Sequence, residues 1–540
     1  MRRRLLPFLS ALPLLAAPRV QAPDAPWVTF TTAHFRIHCP TAFEAFGRDV
    51  ASRVEGIRAQ YLDRVGYTYP GPIDILIQDP RMEANGMAFP LLRRPFVVLW
   101  RTEPEPDSPL NHLRSWPELL LTHELGHMEH LLRPARKPGF WEQWNAVVGP
   151  VAEQCPRWVT EGYATLIEGQ LTGSGRPHGA FRAAVLRQWA REGKLTPYGA
   201  LNGTQGFLGG SMAYLDGSAY LEWLSRRSDD PKALQKLWAR LASPAKPRFE
   251  QAFTATFGFA PKDGYQRFCA EVTHDALEIE RQAKAANLVH EGAIFTHVNG
   301  WVGHLAVSPD GSKLLAQVLD PKRPGLYVWD LLAPKPQPKA PKDPENLPDH
   351  PPQVPSVAAT WYLPPLDGSV PRVPVWEDAH HITYQLRLPD AEGVLQPHAR
   401  RWTLKGGTSA PAAAAPPPLP APALRWRESQ GVWNLQDAEG RPLTRTLSAA
   451  WDPAPAPGGK PVFYARLVAT GVDICRLDAP TPLAPAPLPA DPAPMAPDAV
   501  LAPADAPSPL PPPATPPVPH PYRVGESLKT FSLAGYSLTP

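Results

Sequence analysis

In Ser115-Trp116-Pro117-Glu118-Leu119-Leu120-Leu121-Thr122-His123-Glu124-Leu125-Gly126-His127 a helix begins and two histidines fall one turn apart. Ser115 at the N-cap with Glu118 three positions on has the form of a capping box, and Pro117 suits the first turn. Residues four apart share a helix face, so His123 and His127 can aim imidazole nitrogens at one ion. Glu124 then stands beside the ion's open side, where a carboxylate can take a proton from water. The plainer alternative is a solvated face with two unrelated members of the chain's 16 histidines. Against it stand the apolar start of the helix and a suitable carboxylate downstream.

That carboxylate is Glu161, in Trp158-Val159-Thr160-Glu161-Gly162-Tyr163-Ala164. A second helix crossing the first brings it to the ion, giving two His and one Glu with a fourth position open for water, the arrangement of a catalytic rather than a closed structural zinc site. The ordinary alternative is an acid favoured by the dipole at a helix N-terminus. A longer histidine signature would need Gly and His where His130 and Arg133 stand, so His130 is expected at the surface or supporting a ligand.

Working outward, Val28-Thr29-Phe30 and His34 to His38 alternate as strands, Phe43 to Val65 has helical spacing, and Ile73 to Ile77 and Phe96 to Trp100 are apolar runs of a mixed sheet. Phe96 to Trp100 is expected to be an edge strand on which an extended peptide can pair, with Val98→Pro as its test. Helices are expected at Pro117–Leu132, Trp158–Gln170, Phe181–Glu192, Met212–Ser225 and Lys232–Leu241. After His290 short β-rich runs recur every ~40 to 50 residues, as in propeller blades. The clearest is a hairpin from Gly303 to Ala316 turning at Pro309-Asp310-Gly311. Of 540 residues 73 are proline, crowded late in the chain. Pro-rich inserts near 334–355 and 410–423 interrupt the β runs, and the Pro/Ala stretch from about Ala479 to Pro521 carries too little apolar surface to fold.

Hydrophobic content of 43% supports a sizeable core, and a net charge of +3 gives no reason to invoke nucleic acid or an anionic membrane. Arg2-Arg3-Arg4, the apolar stretch Leu5 to Ala17 and Val20-Gln21-Ala22 read as an export signal cleaved after Ala22, with no transmembrane segment beyond it. The expected location is periplasmic or secreted, with outer-membrane association as a further option. Cys39, Cys155, Cys269 and Cys475 lack C-x-x-C spacing; they can pair in three ways or stay free.

His123 to His127 followed by Trp158 to Ala164 resembles the gluzincin pattern of H-E-x-x-H and W-x-x-E-G-x-A. Tyr214-Leu215-Asp216-Gly217 resembles the Y-x-x-G helix of gluzincin aminopeptidases, which implies that the Tyr214 hydroxyl donates to the oxyanion. More closely, the chain resembles exported bacterial peptidases that join a gluzincin (peptidase MA-like) domain to a TolB-like β-propeller. The similarity runs over roughly residues 27 to 330 and includes His34-Phe35-Arg36-Ile37-His38, Ala84-Asn85-Gly86-Met87-Ala88, Gly175-Arg176-Pro177-His178 and Leu305 to Trp329. The chain departs from the pattern in a longer stretch between His127 and Glu161 and in lacking G-x-M-E-N, which favours cleavage within a chain. It also shows about four β clusters where six blades are usual.

The expectation is therefore a multidomain protein: signal peptide 1–22; an α+β, thermolysin-like zinc peptidase domain in two parts, 23–115 and 116–288; an all-β, incomplete or degenerate propeller-like region, 289–478; and a disordered tail, 479–540. One Zn2+ sits on His123, His127 and Glu161, with Glu124 as general base, and the substrate is a peptide or protein of the cell envelope. The rivals are a catalytically silent zinc-binding scaffold whose propeller binds a periplasmic partner, and a structural envelope module.

Overall fold

The computed structural model describes residues 25–105, 108, 110, 112–228, 230–333, 356–390, 394–412, 424–429, 432–484 and 508–523. The signal segment, the insert 334–355, most of the second insert and much of the tail lie outside them.

The N-terminal part is β1 (Trp27–Thr31), β2 (Phe35–Pro40), α1 (Glu44–Val65), β3 (Ile73–Gln78), β4 (Gly86–Phe89) and β5 (Phe96–Trp100). β2, β3 and β5 run parallel, while β1 joins β2 and β4 joins β5 antiparallel. β3 and β5 are buried throughout, as expected of central strands covered on both faces. Alternation decides the faces. Ile73, Ile75, Ile77, Val97 and Leu99 join the helices in the main core, whereas Leu76, Phe96, Val98 and Trp100 form a smaller cluster with Met87 and Phe89.

This corrects one expectation. Phe96–Trp100 is not an edge strand: it is paired on both sides, and the edge is β4. Val98 is fully buried, so a proline there breaks the sheet and says nothing about substrate.

The helical part comprises α2 (Trp116–Leu131), α3 (Phe140–Asn145), α4 (Pro150–Gln154), α5 (Arg157–Thr172), α6 (Ala180–Arg191), α7 (Gly209–Arg227), α8 (Ala233–Leu241), α9 (Phe249–Phe257) and α10 (Pro261–Ala285). Glycines let α5 press between α2 and α7. A Cβ on Gly126 of α2 would lie 3.3 Å from the Ala164 Cα, and one on Gly162 of α5 would lie 2.5 Å from the Gly217 carbonyl carbon of α7. Neither backbone can yield as a flexible side chain would. Gly162→Val is therefore expected to push α7 off α5 and destabilise the fold by at least the ~1–3 kcal/mol of an overpacked core, read as a lowered Tm; an unchanged Tm would show that the two helices can separate freely.

The C-terminal region holds β6 (Ala293–Val298), β7 (Trp301–Val307), β8 (Lys313–Leu319), β9 (Gly325–Asp330), β10 (Trp361–Leu363), β11 (Arg372–Trp376), β12 (His381–Pro389), β13 (Leu395–Thr403), β14 (Thr408–Pro411), β15 (Arg425–Ser429), β16 (Val432–Gln436), β17 (Ala450–Pro455), β18 (Val462–Val468) and β19 (Gly471–Leu477). They make four separate small antiparallel sheets: β7–β10, β11–β14, the pair β15–β16, and β17–β19 completed by β6 from the start of the region. The predicted hairpin at Pro309-Asp310-Gly311 is the β7–β8 turn, with Gly311 at φ 75°.

Helix α6 does not pack as part of a self-contained helical unit. Phe181, Val185 and Trp189 join Trp329, Trp433, Trp451 and Phe463 in one core shared with the sheets. The Phe181 ring lies 5.8 Å from Trp301 and 5.6 Å from Trp433. The boundary expected at 288 is thus crossed by a common core.

Part of the tail expected to stay unfolded is docked. Within 508–523, β20 (His520–Pro521) pairs with β1, Ser508 donates to the Leu171 carbonyl at 2.7 Å, Leu510 packs on the main core, and Ala514 N–H donates to the Ser52 carbonyl at 2.8 Å. A segment without a core of its own can be ordered by a neighbour's open sheet edge. The four cysteines are free.

Candidate metal centre

The capping expectation is met on one side: Ser115 Oγ accepts from Glu118 N–H at 3.5 Å, while the Glu118 carboxylate pairs with Arg53 at 2.8 Å. Further along α2, the His123 and His127 rings lie 5.0 Å apart, nearly perpendicular. From α5, Glu161 Oε2 reaches within 3.2 Å of His127 Nε2 and 3.8 Å of His123 Nε2. Donor atoms of the three side chains all lie within 4.8 Å of one another. Tetrahedral bonds of ~2.0–2.1 Å put ligand atoms about 3.3 Å apart, so the cluster fits a small divalent cation with little adjustment. The donor chemistry, two imidazoles and one carboxylate, agrees.

Two residues the sequence reading missed hold this cluster in place. Glu168, fully buried on α5, meets His123 Nδ1 at 2.8 Å, which fixes the ring and leaves Nε2 free to face Glu161. Arg176 holds both oxygens of that carboxylate: Nη1 donates at 2.8 Å to Oε2, the oxygen that meets His123, and its backbone N–H donates to Oε1 at 3.1 Å. A signal existed: Glu168 is seven residues, about two turns, beyond Glu161 and so shares its face. Gly175-Arg176-Pro177-His178 carries no such local signal.

Burial alone would raise the Glu161 carboxyl, but the neighbouring His127 charge and hydrogen bonds to both imidazoles outweigh it and hold the group well below the usual range. For His123, burial disfavours the cation, yet hydrogen bonds to Glu161 and Glu168 overcome this and lift it to about 9. A metal must displace that proton. Affinity for a divalent cation is therefore expected to climb about tenfold per pH unit well past 6.5 and to level off near pH 9. The metal-free protein moves the other way. Its folded His123 titrates above the unfolded value of 6.5, so the stabilisation is complete below that pH and lost as pH rises through about 9. Competition titrations with a chelator and metal-free Tm values from pH 6 to 9 check both; an affinity already level at pH 7 would contradict the assignment to His123.

Glu124 is buried, and burial raises its carboxyl despite the pull of both histidines. The edge strand runs alongside it: a Cβ on Gly86 would lie 2.6 Å from Glu124 Oε1, so only glycine leaves the carboxylate its place. The Tyr214 ring of α7 stacks 5.9 Å from His123, with the Arg176 and Arg157 guanidiniums 4.9 and 5.4 Å from its centroid. Burial pushes its hydroxyl upward, so it stays a proton donor at neutral pH.

His130 is neither at the surface nor supporting a ligand. It is fully buried with its ring 4.6 Å from Tyr163 and 4.1 Å from Trp238, and neither nitrogen has a hydrogen-bond partner among the described residues. Burial pushes its pKa well below the ordinary value, leaving a neutral core imidazole.

No protein-family model matches the chain, and no curated protein matches it. Among solved structures it is similar to TolB from Acinetobacter baumannii, at 12% identity and a TM-score of 0.14. The match covers 42% of this chain and spans 59% of that one, too slight a likeness to carry an argument. Among the described residues, no helix is long and apolar enough to cross a membrane. Fold and site together define a multidomain α+β protein in which two buried histidines and a partly exposed glutamate form a cluster able to hold a metal.

Proposed function

We propose that this protein is a zinc metallopeptidase of gluzincin type, exported and cleaving within peptide or protein chains of the cell envelope, with the small sheets forming an incomplete propeller-like unit. The observation that carries the reading is the convergence of His123, His127 and Glu161 donor atoms within 4.8 Å, with Glu124 next to His123 on the same helix. A single zinc ion held there would lower the pKa of a coordinated water to about 7 and polarise a carbonyl. Glu124, raised by burial, accepts the attacking water's proton and passes it to the amine nitrogen as the C–N bond breaks. Tyr214 donates its hydroxyl hydrogen bond to the developing oxyanion. Glu168 and Arg176 keep His123 oriented. An extended substrate pairs along β4, the open edge beside Glu124.

The test is metal analysis together with digestion of an unfolded protein substrate. One zinc per chain, with cleavage lost on chelation and restored by zinc, supports the reading. Zinc bound without cleavage favours the silent scaffold with a binding propeller, and no zinc bound removes the metal site.

A further inference from the structure

Beside the open edge, a cavity of about 300 Å3 lies between the N-terminal part and the small sheets. One wall is the chain just before β4, Met82 to Ala84, and just after β5, Thr102 to Glu105. The facing wall comes from β7 and β8, with Trp301, Gln317 and Leu319, and from Arg372 and Arg387. Leu208, a non-glycine residue at φ 55° directly ahead of α7, completes it. A residue held in that costly conformation is worth explaining: here it opens the helix that carries Tyr214 and lines the cavity at once.

The position relative to Glu124 is set by chain connectivity. Gly86 abuts the Glu124 carboxylate, and Ala84 is two residues before it. Two residues span at most about 7 Å, and the chain at Met82–Ala84 is bent, which shortens the distance further. At the other end the edge is occupied, since Leu91 bridges to Val148 and Leu92 N–H donates to the Val147 carbonyl. A peptide paired on Gly86–Phe89 with its scissile bond at Glu124 thus runs off the open end into the cavity within two or three residues.

The lining decides the chemistry. Of its five charged side chains four are matched across the gap, Arg372 with Glu83 at 2.7 Å and Arg387 with Glu105 at 3.4 Å and Glu83 at 3.9 Å, while the fifth, Glu103, is exposed to solvent. These pairs tie the two parts of the chain together and leave no strong demand for a charged ligand. What they frame is apolar, from Ala84, Leu110, Leu208, Trp301 and Leu319. The wall from the sheets is anchored by the core shared with α6.

We infer that this cavity is a substrate subsite, taking a bulky uncharged apolar side chain two or three residues from the cleaved bond, with the small sheets supplying one of its walls. The inference rests on the peptidase reading above. It is tested with peptides in which each position within four residues of the cleaved bond is in turn Phe, Ala, Lys or Asp. At one position, two or three residues away, Phe is expected over Ala by about tenfold or more in kcat/KM, carried mainly by KM. Leu319 is 37% exposed at the end of β8, so Leu319→Trp narrows the cavity without opening a core, and the Phe/Ala ratio is expected to fall towards one. Leu110→Trp, from the opposite wall, should act alike. Fluorescence polarisation of labelled Phe and Ala peptides on the Glu124→Gln protein asks the same question without turnover. Equal binding of the two peptides, or a preference untouched by both tryptophans, overturns the subsite. A binding preference for Phe together with a wild-type protein that cleaves nothing keeps the subsite and overturns the peptidase.

Discussion

Glu124→Gln is expected to retain one zinc per chain and to lose peptide hydrolysis by about a hundred- to ten-thousandfold, the usual worth of a positioned general base. The two outcomes separate because Glu124 is not among the three side chains whose donor atoms converge. Glutamine has the same shape, so the tight fit of Glu124 against Gly86 is kept and no cavity is made. What is lost is the ability to take a proton from water. Metal analysis and steady-state rates on the same preparation read both effects. Turnover equal to wild type would remove Glu124 from the chemistry.

Glu161→Ala should cost more in metal than in fold. The carboxylate is the only anion of the three donors and the group facing both Nε2 atoms, at 3.2 and 3.8 Å. Without it two imidazoles remain, and zinc affinity should fall by more than the ~10–100-fold typical of losing a supporting partner. Glu168→Ala provides that comparison, because Glu168 touches His123 on the nitrogen turned away from the cluster. The expected order of zinc affinity, by competition with a chelator, is wild type, then Glu168→Ala, then Glu161→Ala. The reverse order of the two variants would mean that Glu161 is not a ligand.

The part of the site that could be read from the sequence was its local part. Capping at Ser115, the one-turn spacing of His123 and His127, and a carboxylate on a second helix need only helix geometry. Glu168 is equally readable as a residue two turns beyond Glu161 on the same face, but helix geometry alone does not say that it meets His123 from the adjacent helix. The edge strand was misjudged for a different reason. Gly86–Phe89 is four residues without a β-branched side chain, a weak strand signal, whereas Phe96–Trp100 is a strong one; yet a run apolar at every position belongs inside a sheet.

The sequence by itself determined the helices that carry the metal cluster, the strands Phe35–Pro40, Ile73–Gln78 and Phe96–Trp100, the turn at Pro309-Asp310-Gly311 and the shared face of His123 and His127, since each depends on neighbours within a few positions. Only the tertiary structure decided that α6 would complete the core of the small sheets, that residues 508–523 would settle across α5, α1 and β1, and that Ala84 and Leu319 would line one cavity. Those outcomes depend on which apolar faces and open edges meet across hundreds of residues, and burial rewards any partner of suitable shape, so no local pattern names the partner.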